Sequence, residues 1–249
     1  MNLETHLLHE MSWADIKELD KEKTVFLLPI GSTEQHGPQN PLGTDFLIAE
    51  HLARETASQS TKAYCLPTLA IGIASHHRNF PGTLWTSRSI LEQLVKDILL
   101  SLNYHGFKKI IVVNGHGGNT SSISNAIADL NDIEEMFCTL FEWWKDEEII
   151  KSVFDVSRAI HADAIETSVV WAVKPELARE EKLAGLTSSE GWGIKIGSLD
   201  LPSRTDQFTS SGIAGSLEGI SIDKGNMVLA KSIDKLQKAI SDLSLYKKV

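Results

Sequence analysis

Cysteine is nearly absent from this 249-residue chain: Cys65 and Cys138 are the two present. They have neither C-x-x-C nor zinc-finger spacing, which excludes a disulfide framework or a thiolate zinc module and makes a reducing cytoplasm the expected compartment. Basic surplus is absent too. There are 24 Lys+Arg against 33 Asp+Glu, a formal charge of −9, and a chain without a basic stripe is a poor nucleic-acid binder. No run approaches the roughly 18 uninterrupted apolar residues of a membrane span, so no membrane partner is expected. Residues 1–10 carry Glu4, His6, His9 and Glu10 rather than an apolar signal core. Repeats and low-complexity tracts are missing as well. What is present is the mix of an ordinary globular protein, 42% hydrophobic and 23% charged, long enough to bury one large core.

Short apolar runs alternate with helix-like stretches. Val25–Ile30 and 110–113 are continuous apolar runs ending at Gly31 and at Asn114-Gly115, the pattern of strands buried on both faces. Residues 136–141 form another candidate, and 65–70 a weaker one because Pro67 suits a strand end. After Ser87, apolar residues fall at Ile90, Leu91, Leu94, Val95, Ile98, Leu99 and Leu102, one face of a helix stopped near Gly106. Residues 45–56 and 120–130 also read as helices. A stripe through Leu229, Ile233, Leu236, Ile240 and Leu243 predicts another near the C-terminus. The alternation predicts an α/β fold with a mostly parallel sheet covered on both sides. Residues 182–224, rich in Gly, Ser and Thr without periodicity, read as long loops within a single domain over 1–249.

Polar residues crowd beyond the strand ends, where ligands bind in open α/β sheets. The first strand runs into Glu34 and His36, then through a Pro/Gly loop to Asp45, and the 110–113 strand runs into His116. Glu34 and His36, two apart in an extended segment, project the same way. Two carboxylates and two imidazoles suit zinc, manganese or iron(II). A carboxylate between two such ions could bridge them at the roughly 3.5–4 Å of dinuclear hydrolases. Gly117 and Gly118 let the backbone approach a ligand closely. Other readings stand beside these. Asn-Gly-His-Gly-Gly-Asn (114–119) could cradle a phosphate before a helix, giving a non-catalytic nucleotide-binding module, although it lacks P-loop spacing. His76-His77 reads as a polar turn or, with Arg78 and the rigid turn 79–83, as a pocket mouth; Arg78 is an anion contact or a solvated charge.

Taken together, Gly-Ser-Thr-Glu-Gln-His-Gly (31–37), Leu-Gly-Thr-Asp (42–45), Asn-Phe-Pro-Gly-Thr (79–83), Asn-Gly-His-Gly-Gly-Asn (114–119) and His-Ala-x-x-x-Glu-Thr-Ser (161–168) resemble the creatininase family of metal-dependent amidohydrolases. The motifs occur in family order over about 25–170 of this chain. The resemblance implies a three-layer α/β/α sandwich, a homohexamer, and two divalent ions acting on a small-molecule amide. Glu34 and His116 would hold one ion, His36 the other, and Asp45 would bridge them. His161 falls at the proton-transferring histidine, the alternative being a helix cap, with Glu166 beside it to orient it or take a proton. His77 joins the substrate contacts. Trp143 and Trp144 fall near the aromatic wall of the pocket, one of them in the core and one facing pocket or interface. Relatives of this kind act on creatinine, formamidopyrimidine ribosyl phosphates, a mycofactocin precursor peptide or cyclic sugar ketones.

Two positions depart from the family pattern. The namesake enzyme has Glu where this chain has Gly118, and many members have His where it has Gln39. Loss of the Glu predicts a weaker second metal position unless a carboxylate such as Glu166 replaces it, and together the two departures point away from creatinine itself.

Overall fold

The computed structural model describes residues 5–246; residues 1–4 and 247–249, part of the N-terminal stretch and of the 1–249 domain considered above, lie outside the described residues. In chain order the main elements are α1 (Trp13–Lys17), β1 (Val25–Ile30), α2 (Thr44–Ser58), β2 (Ala63–Cys65), α3 (Arg88–Tyr104), β3 (Lys109–Asn114), α4 (Thr120–Ile133), β4 (Phe137–Glu142), α5 (Glu147–Phe154), α6 (Ala164–Val173), β5 (Ile194–Ile196), β6 (Leu199–Leu201) and α7 (Ile222–Leu245). The first four strands form one parallel sheet in the order β2-β1-β3-β4.

The continuous apolar runs are explained by what lies on each face. Alternation sends Val25, Leu27, Ile111 and Val113 into a core shared with α2, α5, α6 and α7. Phe26, Leu28, Ile30, Ile110 and Val112 face a second core closed by α3 and α4. Each such side chain, fully removed from water, contributes about 1.5–3 kcal/mol. The result is an α/β/α sandwich. Among the described residues no helix is long and apolar enough to cross a membrane.

Helix boundaries follow local chemistry. Ser87 accepts the Ile90 N–H to cap α3, and Ser221 caps α7 through the Lys224 N–H. The 65–70 segment is a strand only to Cys65. Pro67 has no N–H to donate, and pairing beyond it shrinks to an isolated bridge between Ile30 and Leu69. Within the loop-rich 182–224 region lies a short antiparallel hairpin, β5-β6, whose three-residue strands are too brief to leave a periodic trace. Both cysteines are free and buried, and burial pushes each thiol up to about 12, so neither is a ready nucleophile.

Chain order places β2 and β3 on opposite sides of β1, so the sheet reverses its winding between β1 and β3, where a crevice opens beyond the strand ends. The first turn of α2 is drawn into that crevice by two close backbone approaches. A Cβ on Gly31 would lie 2.3 Å from the Phe46 nitrogen, and one on Gly115 2.1 Å from the Asp45 carbonyl oxygen. Only glycine allows this contact, which sets Asp45 between the ends of β1 and β3. Gly115→Ala should therefore lower unfolding stability by about 1–3 kcal/mol, since backbone has to move. Gly117→Ala, whose Cβ would meet nothing within 4 Å, should leave the denaturant midpoint unchanged. Urea unfolding of the two variants checks the pair.

Candidate metal centre

Glu34, His36, Asp45 and His116 meet at this crevice, all buried. The loop after β1 is pinned by Glu34 N–H to the Leu42 carbonyl at 2.9 Å, by the Leu84 N–H to the Thr33 carbonyl at 2.9 Å, and by the Gln35 N–H to Thr83 Oγ1 at 3.2 Å. Asp45 enters from the first turn of α2, where the helix dipole favours an anion. Asn114 and Asn119 tie down the turn carrying His116: the Asn119 amide bonds the Ile73 N–H and the Gly31 carbonyl, and Asn114 bonds the His116 backbone. Both asparagine side chains of the motif are thus spent on holding the turn.

Each imidazole is oriented by a carbonyl behind it. His36 Nδ1–H donates to the Glu34 carbonyl at 3.2 Å, and His116 Nε2–H to the Ile73 carbonyl at 3.0 Å. That leaves His36 Nε2 and His116 Nδ1 aimed inward, the arrangement that prepares a histidine to bind a metal. Asp45 then faces both: Oδ1 is 3.0 Å from His36 Nε2, and Oδ2 is 3.1 Å from His116 Nδ1. Glu34 Oε1 is 3.2 Å from His116 Nδ1. These separations approach the roughly 3.3 Å edge of a tetrahedron around zinc with ligands at about 2.0–2.1 Å. Moreover, Glu34 Oε1 and Oε2, His36 Nε2, Asp45 Oδ2 and His77 Nε2 are buried without any hydrogen-bond partner. Imidazole and carboxylate atoms this close share positive charge between them, whether as protons on the rings or as a bound cation.

Four groups of three donors fall within 4.8 Å of one another among the described residues: Glu34–Asp45–His116, His36–Asp45–Glu166, Glu34–His36–His161 and Glu34–His76–His77; the first two share Asp45, as a bridging carboxylate must. The residues present therefore fit a divalent metal. The contacts of Glu166 run to His36 and to the backbone next to His161: its Oε2 lies 3.7 Å from His36 Nε2 and accepts the Ala162 N–H at 2.5 Å. Glu166 thus brings a carboxylate from α6 to the side of His36, while position 118 is glycine. Gly118 has its own constraint: a Cβ there would lie 2.4 Å from His116 Nε2 and 2.4 Å from the Ile73 carbonyl, so a larger residue would break the bond that orients His116.

Electrostatics point the same way. Burial alone would push His36 down, yet Asp45, Glu166 and Glu34 around it raise it to about 10. His116, likewise buried, is held well above its usual range by Glu34 and Asp45. Burial raises Glu166 to about 8 against the pull of His36, with Asp163 and Asp45 adding to the rise. Glu34 is held well below the usual range, where the His116 and His77 imidazoles outweigh its burial. The carboxylates demand cationic charge, which protons supply when no ion does.

His161 stands at the edge of the cluster. Its Nδ1 is 4.0 Å from Glu34 Oε1, and its Nε2 lies 3.0 Å from the Gln35 carbonyl and 2.8 Å from the Gln35 side-chain nitrogen. Burial, then His77 and His36, hold it well below its usual range, so it is neutral. It does not cap the following helix; Asp163 does, accepting the Ile165 and Glu166 N–H groups at 2.9 and 3.1 Å. Between them Ala162 is held at φ 53°, a conformation costing a non-glycine residue of order 1–3 kcal/mol. Gln39, in place of the family histidine, fixes this segment by donating to the Ala162 carbonyl at 2.9 Å.

Other expected contacts fall elsewhere. His77 is no pocket-mouth residue: it is fully enclosed, with Nε2 3.3 Å from Glu34 Oε1. Arg78 is exposed and returns to the Ser75 carbonyl. Gly117 is exposed at the rim and Gly118 is covered by His116. Trp143 and Trp144 both pack into the core under α5, α6 and α7, because the chain turns inward after β4. The aromatic residue over the site is instead Trp192, whose ring stands edge-on to His76, His77 and His161 at 5.5–5.7 Å and against Phe208 at 5.3 Å. Gln35 was missed too, although it stands between Glu34 and His36 in sequence. The clue to Trp192 was its isolation, an aromatic residue in an otherwise polar, glycine-rich stretch.

Comparison with known proteins agrees with this geometry. The chain is 32% identical over 178 residues to the mycofactocin precursor peptide peptidase of Mycolicibacterium smegmatis, an alignment covering 69% of this chain and 67% of that protein. It is 24% identical over 255 positions to the creatinine amidohydrolase of Pseudomonas putida, covering 94% and 95%. A crystal structure of creatinine amidohydrolase shares the fold, with a TM-score of 0.84 over 98% of this chain and 100% of that one at 22% identity. The family model described as creatinine amidohydrolase matches residues 9–240. With that model spanning the sheet, the crevice and every ligand in it, the chain belongs to the creatininase family of metal-dependent hydrolases acting on C–N bonds.

Proposed function

We propose that this protein hydrolyses an amide of a small or peptide-like substrate at a two-ion centre, with Glu34, Asp45 and His116 holding one ion and His36, Asp45 and Glu166 the other. The observation that carries the reading is Asp45, whose two oxygens each face a different imidazole, one from each proposed ligand set, at 3.0 and 3.1 Å. Zinc, manganese and iron(II) all suit a donor set of carboxylates and imidazoles. When bound, such ions polarise a carbonyl and make a water acidic enough to attack near neutral pH.

The chain's own groups supply the rest. His161, neutral and with Nδ1 facing the cluster, takes the proton of the attacking water and returns it to the leaving nitrogen. The strained Ala162 and the Gln35 backbone hold that ring in place. Trp192 and Phe208 offer an edge-and-face surface for a flat or apolar group of the substrate. Gly117, open at the rim, leaves room for backbone-like groups. With Gly118 in place of the family Glu, the pocket suits an exocyclic amide, such as a formamide or a peptide bond, better than the creatinine ring. The assembly is proposed to be a homohexamer acting in the cytoplasm.

Three outcomes test this reading. Metal analysis of exhaustively dialysed protein should give two ions per chain, His116→Ala should lose at least the first, and Glu166→Ala should keep only one. Chelation should abolish hydrolysis across a panel of creatinine, formamides and peptide amides, with zinc, manganese or iron(II) restoring it; a metal-free chain that still turns over any of them refutes the two-ion reading. His161→Ala should retain both ions yet lose turnover by about 10²–10⁴-fold, and a metal-loaded variant with full activity would remove His161 from its role.

A further inference from the structure

A third group of donors lies on the outer side of Glu34. Both carboxylate oxygens of Glu34 are buried without a hydrogen-bond partner, and Oε1 faces His116 Nδ1 on one side at 3.2 Å and His77 Nε2 on the other at 3.3 Å. His77 Nε2 is also buried and unpartnered. The far side of the ring explains how that nitrogen can present a lone pair. His77 Nδ1 lies 2.9 Å from Thr205 Oγ1; donating its proton there leaves Nε2 bare, the second-sphere arrangement that prepares a histidine for a metal.

Gln35 is compatible with this tautomer. Its amide orientation is fixed at both ends, by the Gly37 N–H on Oε1 at 3.0 Å and by Nε2 donating to the Gly212 carbonyl at 3.0 Å. One N–H remains, 2.8 Å from both His77 Nδ1 and His161 Nε2: it goes to His161, whose ring proton then sits on Nδ1, when His77 donates to Thr205, and to His77 when His161 Nε2 donates to the Gln35 carbonyl and leaves Nδ1 free to act as a base. His76 completes the group. Its ring centroid is 4.2 Å from that of His77, it lies parallel to His116 at 5.7 Å, and it is partly open to solvent. Donor atoms of Glu34, His76 and His77 all fall within 4.8 Å of one another.

We propose that Glu34, His76 and His77 form a third, weaker binding position for a divalent transition ion of the zinc type, filled when that ion is in excess over the two resident ones. Two imidazoles and a carboxylate favour zinc over magnesium or calcium, which prefer oxygen cages. The position is weaker because Glu34 is shared with the centre proposed above, on which this inference rests, and because His76 is partly hydrated. Lying under Trp192 and beside His161, a third ion obstructs the approach to the site, so excess zinc inhibits.

The test is zinc titration by calorimetry and by metal analysis of wild-type protein, His76→Ala, His76→Gln and the surface control His105→Ala. The wild type and His105→Ala should bind one equivalent more than either His76 variant, or bind their weakest equivalent at least about 10-fold more tightly. Inhibition of amide hydrolysis by excess zinc should be relieved in the His76 variants. Equal stoichiometry and affinity in all four proteins would overturn the third position. The comparison reads the same whether or not resident ions survive dialysis: loss of those ions would count against the two-ion centre, and only the difference made by His76 decides this inference. Circular dichroism confirms that the compared variants are folded, and two different replacements of a partly exposed residue guard against one that is not.

Discussion

Three carboxylates withdrawn from water at one point govern this structure. Glu34, Asp45 and Glu166 are all buried, and an ionised carboxylate moved into a protein interior costs several kcal/mol unless opposite charge meets it. No lysine or arginine takes part among the described ion pairs of the cluster; the facing groups are the histidines His36, His77, His116 and His161. Imidazoles can neutralise carboxylates by holding protons, as the raised His36 and His116 indicate. They can equally release those protons to a divalent ion. A lysine in the same place would fix the charge permanently and exclude the ion.

The fold makes this concentration of charge tolerable by building its framework from backbone. His36 and His116 are each held by a main-chain carbonyl, and the turn that bears His116 is laced by Asn114 and Asn119. The apolar sheet behind them is packed on both faces, so the strand ends are fixed points. Close contact of Gly31 and Gly115 with the start of α2 then brings Asp45 to a position that no flexible side chain would hold as reliably. Rigidity here precedes chemistry, since donor atoms must sit within a few tenths of an ångström of their positions before an ion arrives.

Much of this could be read from residues alone, and the limit has physical causes. β1 and β3 were readable because continuous β-branched and leucine runs suit strands covered on both sides. α3 was readable because Ser87 and Gly106 bracket an unbroken apolar stripe. Glu34, His36, Asp45 and His116 were readable because they follow strands directly, and strand ends at a winding reversal are where a crevice opens. Trp192 was not, since residues 182–224 fold through turns and a three-residue hairpin whose placement depends on contacts distant in sequence. Trp143 and Trp144 misled for the opposite reason. They stand just after β4, at the level of the site, but the path of the chain carries both rings inward. The partnership of Glu166 with His36 also needed the structure, because which face α6 presents is set by the strained turn at Ala162 and not by any periodicity.

That turn links the two halves of the chemistry. With glycine at 118, the carboxylate beside His36 comes from α6, five residues after His161. The same Glu166 oxygen that faces His36 also accepts the Ala162 N–H, and Ala162 is the residue whose left-handed backbone sets the direction of His161. An ion held as proposed, drawing on Glu166, would also load the backbone that aims His161. The strain at Ala162 is therefore held by a contact to a carboxylate of the proposed ligand set, so under that proposal the alignment of His161 and the metal position depend on one side chain. Placing both on one short segment gives up the independence of two separate elements, and it ties the assembly of the metal centre to the positioning of the group that must act beside it.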